Sequence, residues 1–431
     1  MNILVIGQCT LHWGRMEFGN IGNYYIVEPF FRELHLAFPG ATVRTTMQMT
    51  DEFCARERVV RLPMELYYGW NEQDLKSCMD EYALADTFNR TGSLTATTPY
   101  IEAVLESDLV IDFSGDIWGD NADFLGPHRF LIGAYKDLTA SLLRRPVAMI
   151  AGSPGPFEGR SNLAIARRVF SCFDLVTHRE PISIDIMNSC GLENQRQHSL
   201  ACPAFLFEPA PEDSIAEIVD PIREKANGRP LGGFIICGWN MARGPFDRWP
   251  RDDEEFAVFV EAVEHIVALG ADVVLMSHAN GFRLQPDFQL IHGRDFPLAK
   301  HVSELLASHS TAKHVHLLDG IFLPAETKAI IGQFDMLVSG RVHAAVAGLS
   351  QAVPTVILDY GHEPKAHKLK GFARVAGVED FVADPGQLQD VTARIDRCWA
   401  DRNGIRAQLT RTMPTVQDLA RRNFALLKTI V

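Results

Sequence analysis

Asp335–Gly371, DMLVSGRVHAAVAGLSQAVPTVILDYGHEPKAHKLKG, decides the fold. Residues 335–339 form an apolar run bounded by polar turns, the pattern of a buried strand. Ser339 is placed to cap a helix from about Gly340 to Leu349, with its free backbone N–H groups aimed at the preceding loop. A second apolar strand, Val353 to Asp359, follows. Strand, helix and strand in that order predict parallel pairing through a right-handed crossover. Ligands of such sheets bind beyond the carboxyl ends of the strands. Arg341 and His343 stand just past the first strand and Lys365 just past the second, so two cations and an imidazole converge where the helix dipole already favours negative charge. The arrangement predicts an anion site with a proton donor beside it.

Outward from this unit, the second half repeats the alternation, with strands near 232–237, 272–277, 314–318, 335–339 and 354–359. The first half shows strands near 2–7, 41–47, 108–114, 146–151 and 174–178, with helices near 24–37, 124–144, 161–172 and 183–189. Both halves predict parallel sheets covered by helices on two faces. The stretch 48–98 is polar and reads as an irregular insertion or active-site loop. The expected division is a Rossmann-like domain over 1–202, a turn-rich linker over 203–230, a second Rossmann-like domain over 231–405, and a terminal helix within 406–431 that packs back on the first domain.

The 431 residues suit two domains at about 100 to 200 residues each, and the 47% hydrophobic fraction fills both cores. A net charge of −13 argues against a general nucleic-acid binder, which needs a basic face. Any polyanion therefore binds in a local basic pocket. Eight cysteines with no CxxC pair support neither a zinc site nor a disulfide framework, and reduced thiols in the cytoplasm are expected. The opening MNILVIGQC lacks a basic region and is too short to span a membrane, so it reads as a first strand.

Three further motifs carry candidate chemistry. FGNIGNYYI (18–26) follows the first strand and opens a helix; its glycines admit close approach of backbone to ligand, and Asn20 and Asn23 are the candidate contacts to an acceptor. A plain tight turn is the competing reading. The GxGxxG spacing is absent, so a dinucleotide site is not predicted. DFSGDIWGDN (112–121) is another strand end. Its Trp118 and Asp120 are suited to grip a sugar, the ring stacking and the acid accepting from hydroxyls, with Asp116 as the candidate base for an attacking hydroxyl. A loop held by Asx turns over a buried tryptophan explains the same residues equally well. Arg179 ends the strand DLVTHR ahead of Ser183, a candidate N-cap. Asn240, Arg243, His278 and Asn280 follow strands of the second half and are weaker candidates. His314 and His316 alternate on a strand with no carboxylate partner in sight, so a metal site is not expected.

The pieces GNIGNYYIVEPF, DFSGDIWGDN, IAGSPGPF, THREPISIDIM, SGRVHAAVAG and LDYGHEPKAHKL, in this order, resemble the polysaccharide pyruvyl transferase family over residues 19 to about 371. The resemblance implies two Rossmann-like parallel-sheet domains facing a cleft, similar to the GT-B glycosyltransferase architecture. It also implies transfer of the enolpyruvyl unit of phosphoenolpyruvate onto a sugar of an exopolysaccharide or glycan precursor, as a pyruvate ketal, with no metal or organic cofactor. Arg341, Lys365 and Arg179 then hold the donor with the Ser339–Gly340 strand end. His343 joins that donor site; the chemistry of the residues themselves suggests it as general acid or phosphate donor, and Asp116 as base. The acceptor, lipid-linked or nucleotide-linked, meets Asn20, Asn23, Trp118 and Asp120, with at most peripheral membrane contact and a homo-oligomer possible.

The physical reading agrees on the donor. Phosphoenolpyruvate carries close to three negative charges, and charge-assisted hydrogen bonds contribute roughly 1.5 to 3 kcal/mol each. Two other readings compete: a nucleotide-sugar-dependent GT-B glycosyltransferase, against which the lack of a uridine-binding glutamate motif speaks, and a noncatalytic sugar-binding protein of the same fold.

Overall fold

The structure is a computed structural model, and it describes residues 1–7, 15–115, 118–241, 249–284, 286–360 and 367–431. The chain divides into two compact units. One comprises Met1–Met16, Val27–Pro203 and Asp418–Val431, and the other Glu17–Ile26 and Ala204–Gln417.

The first unit holds a parallel sheet built from β1 (Asn2–Gly7), β2 (Thr42–Thr45), β3 (Val59–Arg61), β4 (Leu109–Phe113), β5 (Val147–Gly152), β6 (Leu175–His178) and β7 (Gln197–Ser199). Their order is β3-β2-β1-β4-β5-β6-β7. Runs such as Ile3–Ile6 have no exposed surface, as expected of strands covered on both faces. The second unit contains β8 (Leu231–Ile235), β9 (Asp272–Leu275), the antiparallel hairpin β10 (Asn280–Arg283) and β11 (Gln289–His292), β12 (Val315–Leu317), β13 (Met336–Ser339), β14 (Thr355–Leu358) and β15 (Val382–Ala383). Its main sheet is parallel in the order β12-β9-β8-β13-β14-β15. With the hairpin set aside, both sheets follow the doubly wound order 3-2-1-4-5-6, whose direction reverses beside the first strand. In the second unit that switch point lies between the carboxyl ends of β8 and β13, and the expected crossover joins β13 to β14, with Val338 opposite Val356.

Residues 48–98 differ from expectation. They include a helix over Asp51–Glu57, β3, and an 18-residue helix over Asp74–Thr91. The longer helix is polar on average, but one face carries Cys78, Glu81 and Ala85 into the core. There Glu81 meets Lys136 at 2.6 Å and Tyr82 meets Tyr135 edge to face. A charge pair thus occupies a face on which apolar periodicity finds too few residues.

The stretch 204–230 belongs to the second unit and contains the helix Ala216–Ala226; Ala210 donates its N–H to the Ala325 carbonyl and the Lys328 ammonium bonds the Phe207 carbonyl. The terminal helix runs over Arg402–Leu427. Its end belongs to the first unit, where Asn423 accepts from the Thr177 hydroxyl at 2.6 Å, donates to the Ala201 carbonyl, and Phe424 packs on Phe30. No helix among the described residues is long and apolar enough to cross a membrane.

Candidate active site

The switch point of the second unit is closed by short polar contacts. The Asn240 side-chain oxygen accepts from the Cys237 N–H, while its amide donates to the carbonyls of Leu358 and Asp359. The Cys237 thiol bonds the Gly340 carbonyl at 3.1 Å. A Cβ on Gly340 would stand 1.9 Å from the Asn240 side-chain oxygen, so the glycine at the end of β13 is required by this packing. The helix expected from Gly340 instead begins at Val342 and ends at Ser350, and Ser339 does not cap it. Its hydroxyl turns back to the Arg341 backbone, accepting from the N–H and donating to the carbonyl.

Arg341 corrects the open cation that the sequence suggests. It is buried and clasps the carboxylate of Asp295, which has no exposed surface, through Nε at 2.9 Å and through Nη2. Burial works against the guanidinium charge, but the Asp295 charge, followed by weaker contributions that include Cys237 and Tyr360, outweighs it and raises the Arg341 pKa. The fork leaves Nη1, for which no hydrogen bond is found among the described residues. Arg341 therefore supplies a fixed donor more than a net positive charge. Asp295 heads the helix Phe296–Leu306 and escaped the sequence reading; the run Asp295-Phe296-Pro297, an acid ahead of proline at the first helical turn, signals that helix start.

His343 lies half-buried in the first turn of the Val342–Ser350 helix, edge-on to Phe372 with ring centroids 5.9 Å apart. What meets it is the FGNIGNYYI segment. Asn20 pairs with Ala279 in an antiparallel bridge and accepts the Gly22 N–H on its side-chain oxygen at 3.1 Å. The helix Ile21–Ala37 starts there, and a Cβ on Gly22 would stand 2.6 Å from His343 Nδ1. Two helix amino-termini thus meet at one imidazole, and their dipoles favour an anion there. Asn20 and Asn23, expected with the acceptor in the first half, sit in the second unit; Asn20 is spent on the helix cap, and the Asn23 N–H bonds the Asn20 carbonyl.

Beside this segment lies His278, fully buried and edge-on to Tyr25 at 5.3 Å, with no hydrogen-bond partner for either ring nitrogen among the described residues. Burial, then the Arg341 charge, lowers its pKa to about 3, so the ring is neutral.

The first-unit candidates separate. Trp118 does not offer its face to a sugar: it is 2% exposed, packs against Phe130 and Phe173, and donates its indole N–H to Asp112 at 3.1 Å. Apolar packing with a satisfied polar tip won over exposure. Asp120 accepts from the backbone N–H groups of Glu158 and Gly159 and from Asn162, which ties it to the start of the Arg160–Phe170 helix instead of leaving it to grip hydroxyls. Arg179 is buried and donates from Nε to the Ser153 hydroxyl at 2.7 Å. The helix after it is capped by Glu180, which accepts from the Ile182 and Ser183 N–H groups, so Ser183 is not the cap. Asp116, Lys365 and Arg243 lie outside the described residues.

His314 and His316 do have a carboxylate partner. Asp272, at the start of β9, accepts from both rings at 2.8 Å and from Arg229 at 2.7 Å. The sequence hides this because Asp272 comes from the neighbouring strand. The cluster lies at the amino ends of the strands, away from the switch-point mouth.

The family model for polysaccharide pyruvyl transferase matches residues 20–362, from the Asn20 cap through the whole β13–β14 unit. The chain belongs to the polysaccharide pyruvyl transferase family. It is accordingly a transferase. It is 23% identical over 318 residues to the amylovoran biosynthesis protein AmsJ of Erwinia amylovora, covering 73% of this chain and 71% of that one. In fold, this pyruvyl transferase family member is similar to a glycosyltransferase from Rickettsia africae, with a TM-score of 0.58, 10% identity and coverage of 100% and 98% of the two chains. A UDP-N-acetylglucosamine 2-epimerase from Listeria monocytogenes, described as putative, gives 0.57, 12% identity and coverage of 99% and 96%. These likenesses establish the two-sheet, GT-B-like architecture.

Proposed function

We propose that this transferase moves the enolpyruvyl unit of phosphoenolpyruvate onto two hydroxyls of a sugar in a glycan precursor, forming a pyruvate ketal and releasing phosphate. The observation that carries the proposal is the meeting of two helix amino-termini at the His343 imidazole, beside an Arg341 fixed by Asp295. An anion is favoured there, and a ring able to move a proton stands within the same turn.

In the proposed reaction a proton adds to the methylene carbon of phosphoenolpyruvate, turning it into a methyl group and making C2 an oxocarbenium-like electrophile. One sugar hydroxyl adds to C2 and gives up its proton; the second displaces phosphate at C2, and its proton leaves with phosphate. His343 is the proton donor to carbon, and Arg341 Nη1 contributes one fixed donor to the anion. Lys365 supplies the mobile charge that the Asp295-bound Arg341 lacks, and Asp116 takes a hydroxyl proton. Trp118 has no part in sugar stacking.

Purified protein, phosphoenolpyruvate and lipid-linked or nucleotide-linked acceptors test the reading together. Acceptor-dependent phosphate release with a new ketal methyl signal in the proton NMR spectrum is expected, and His343→Gln is expected to slow it about a hundredfold or more. Release of a nucleotide from a sugar donor instead, with phosphoenolpyruvate untouched, would establish glycosyl transfer.

A further inference from the structure

Gly22 sits in the first turn of the Ile21–Ala37 helix, where glycine is a poor choice on backbone grounds: an interior helical glycine costs roughly 0.5–1 kcal/mol relative to alanine. Its φ is not among the positive values of this chain, so no left-handed conformation demands it. Space does. A Cβ there would lie 2.6 Å from His343 Nδ1 and 2.9 Å from both Cβ and Cγ of the same residue. Two of those atoms are at the root of the side chain, and a small tilt of the ring does not relieve the overlap.

Packing braces both partners. Phe372 stands edge-on to the imidazole at 5.9 Å and is itself stacked on Phe205. The glycine segment is pinned along its length. Asn20 bridges Ala279, the Tyr25 hydroxyl bonds the Pro324 carbonyl at 3.1 Å, and the Tyr25 ring stacks on Phe207 at 4.6 Å and meets His278 edge-on.

We infer that Gly22 is a positioning residue of the transferase: its missing side chain lets the amino end of the Ile21–Ala37 helix close against His343 and so fixes where the imidazole Nδ1 stands. A segment from near the start of the chain thereby sets the geometry of a group more than three hundred residues later. The inference rests on the proposed role of His343 for its catalytic consequence, but its geometric content is independent of the donor.

Gly22→Ala tests it, read in two ways. Nitrogen-15 NMR of the imidazole, assigned by comparison with His343→Gln, is expected to show the His343 ring shifted in tautomer balance or pKa. The kcat for acceptor-dependent phosphate release is expected to fall about a hundredfold, the scale of a misplaced catalytic group, with KM for phosphoenolpyruvate little changed. If phosphoenolpyruvate is not the donor, the NMR comparison still decides the positioning claim. An unchanged His343 spectrum in folded Gly22→Ala overturns it; a shifted spectrum with an undiminished kcat overturns the catalytic role proposed for His343 and leaves the positioning standing. Should Gly22→Ala fail to fold, Gly22→Ala combined with His343→Gly removes the obstructing atoms and must recover the fold; a double variant that stays unfolded overturns the inference.

Discussion

Asp295 takes two parallel hydrogen bonds from Arg341, through Nε at 2.9 Å and through Nη2, with both side chains withdrawn from solvent. The pair joins the start of the Phe296–Leu306 helix to the mouth of β13, and it decides what Arg341 can do. A guanidinium already matched by a carboxylate is a rigid donor, while the same guanidinium alone would be a buried unpaired charge. Asp295→Ala is therefore expected to cost about 3–5 kcal/mol of stability, read from denaturant unfolding, because the cation is left without its partner. A loss within 0.5 kcal/mol would show that Arg341 finds another anion.

Trp118 is a structural residue by the same kind of accounting. Trp118→Phe keeps the ring packed on Phe130 and Phe173 but strands the Asp112 oxygen that accepts the indole N–H. A loss of about 1–3 kcal/mol is expected, with no change in acceptor KM. A raised KM at unchanged stability would restore the sugar-stacking role.

Two buried histidines predict an acid limb. His178, whose pKa burial lowers to about 4, and His278, lowered to about 3 by burial and then Arg341, stay neutral in the folded chain well below 6.5, the ordinary value. The unfolded chain binds protons first as pH falls, so stability is present above about pH 6.5 and is lost as pH drops toward 4. Melting temperature measured from pH 7.5 to 4.5 checks this, and His278→Leu, which removes the titrating ring, should flatten part of the slope. A variant as acid-sensitive as the parent would contradict the assignment.

Asp137 works with the opposite sign. It is buried against Asp112, and burial, followed by the Asp112 charge and hydrogen bond, holds its pKa well above the ordinary carboxylate value. Among the described residues no donor meets its oxygens, and the retained proton is shared with Asp112. The folded chain retains a proton that the unfolded chain releases above about pH 4; stability from this group is present below that pH and is lost as pH rises. Asp137→Asn donates to Asp112 without that proton and is expected to melt no lower than the parent at pH 8. A drop of several degrees would mean that the carboxyl is ionised in the folded state.

The sheets were largely legible because their strands are short apolar runs between turn residues, and β13 to β14 was read nearly to the residue. What escaped were contacts between distant segments. His343 and Arg341 were visible as a motif, yet Asp295 and Gly22, which determine how each is held, come from another helix start and from the first turns of the chain. Trp118 looked like a sugar platform because exposure is not written in a dipeptide, and Asp120 looked free because its partners lie near residue 160. Asp272 gathers His316 from the neighbouring strand and His314 from the turn just before it.

Transfer of phosphoenolpyruvate labelled with carbon-13 at C3, run in deuterium oxide with the acceptor and followed by NMR, tests the proposed chemistry most directly. Protonation of carbon followed by ketal closure predicts a product methyl carrying one deuteron, formed in step with free phosphate. A label that stays in a methylene group, or that never leaves phosphoenolpyruvate while acceptor is consumed, would contradict it.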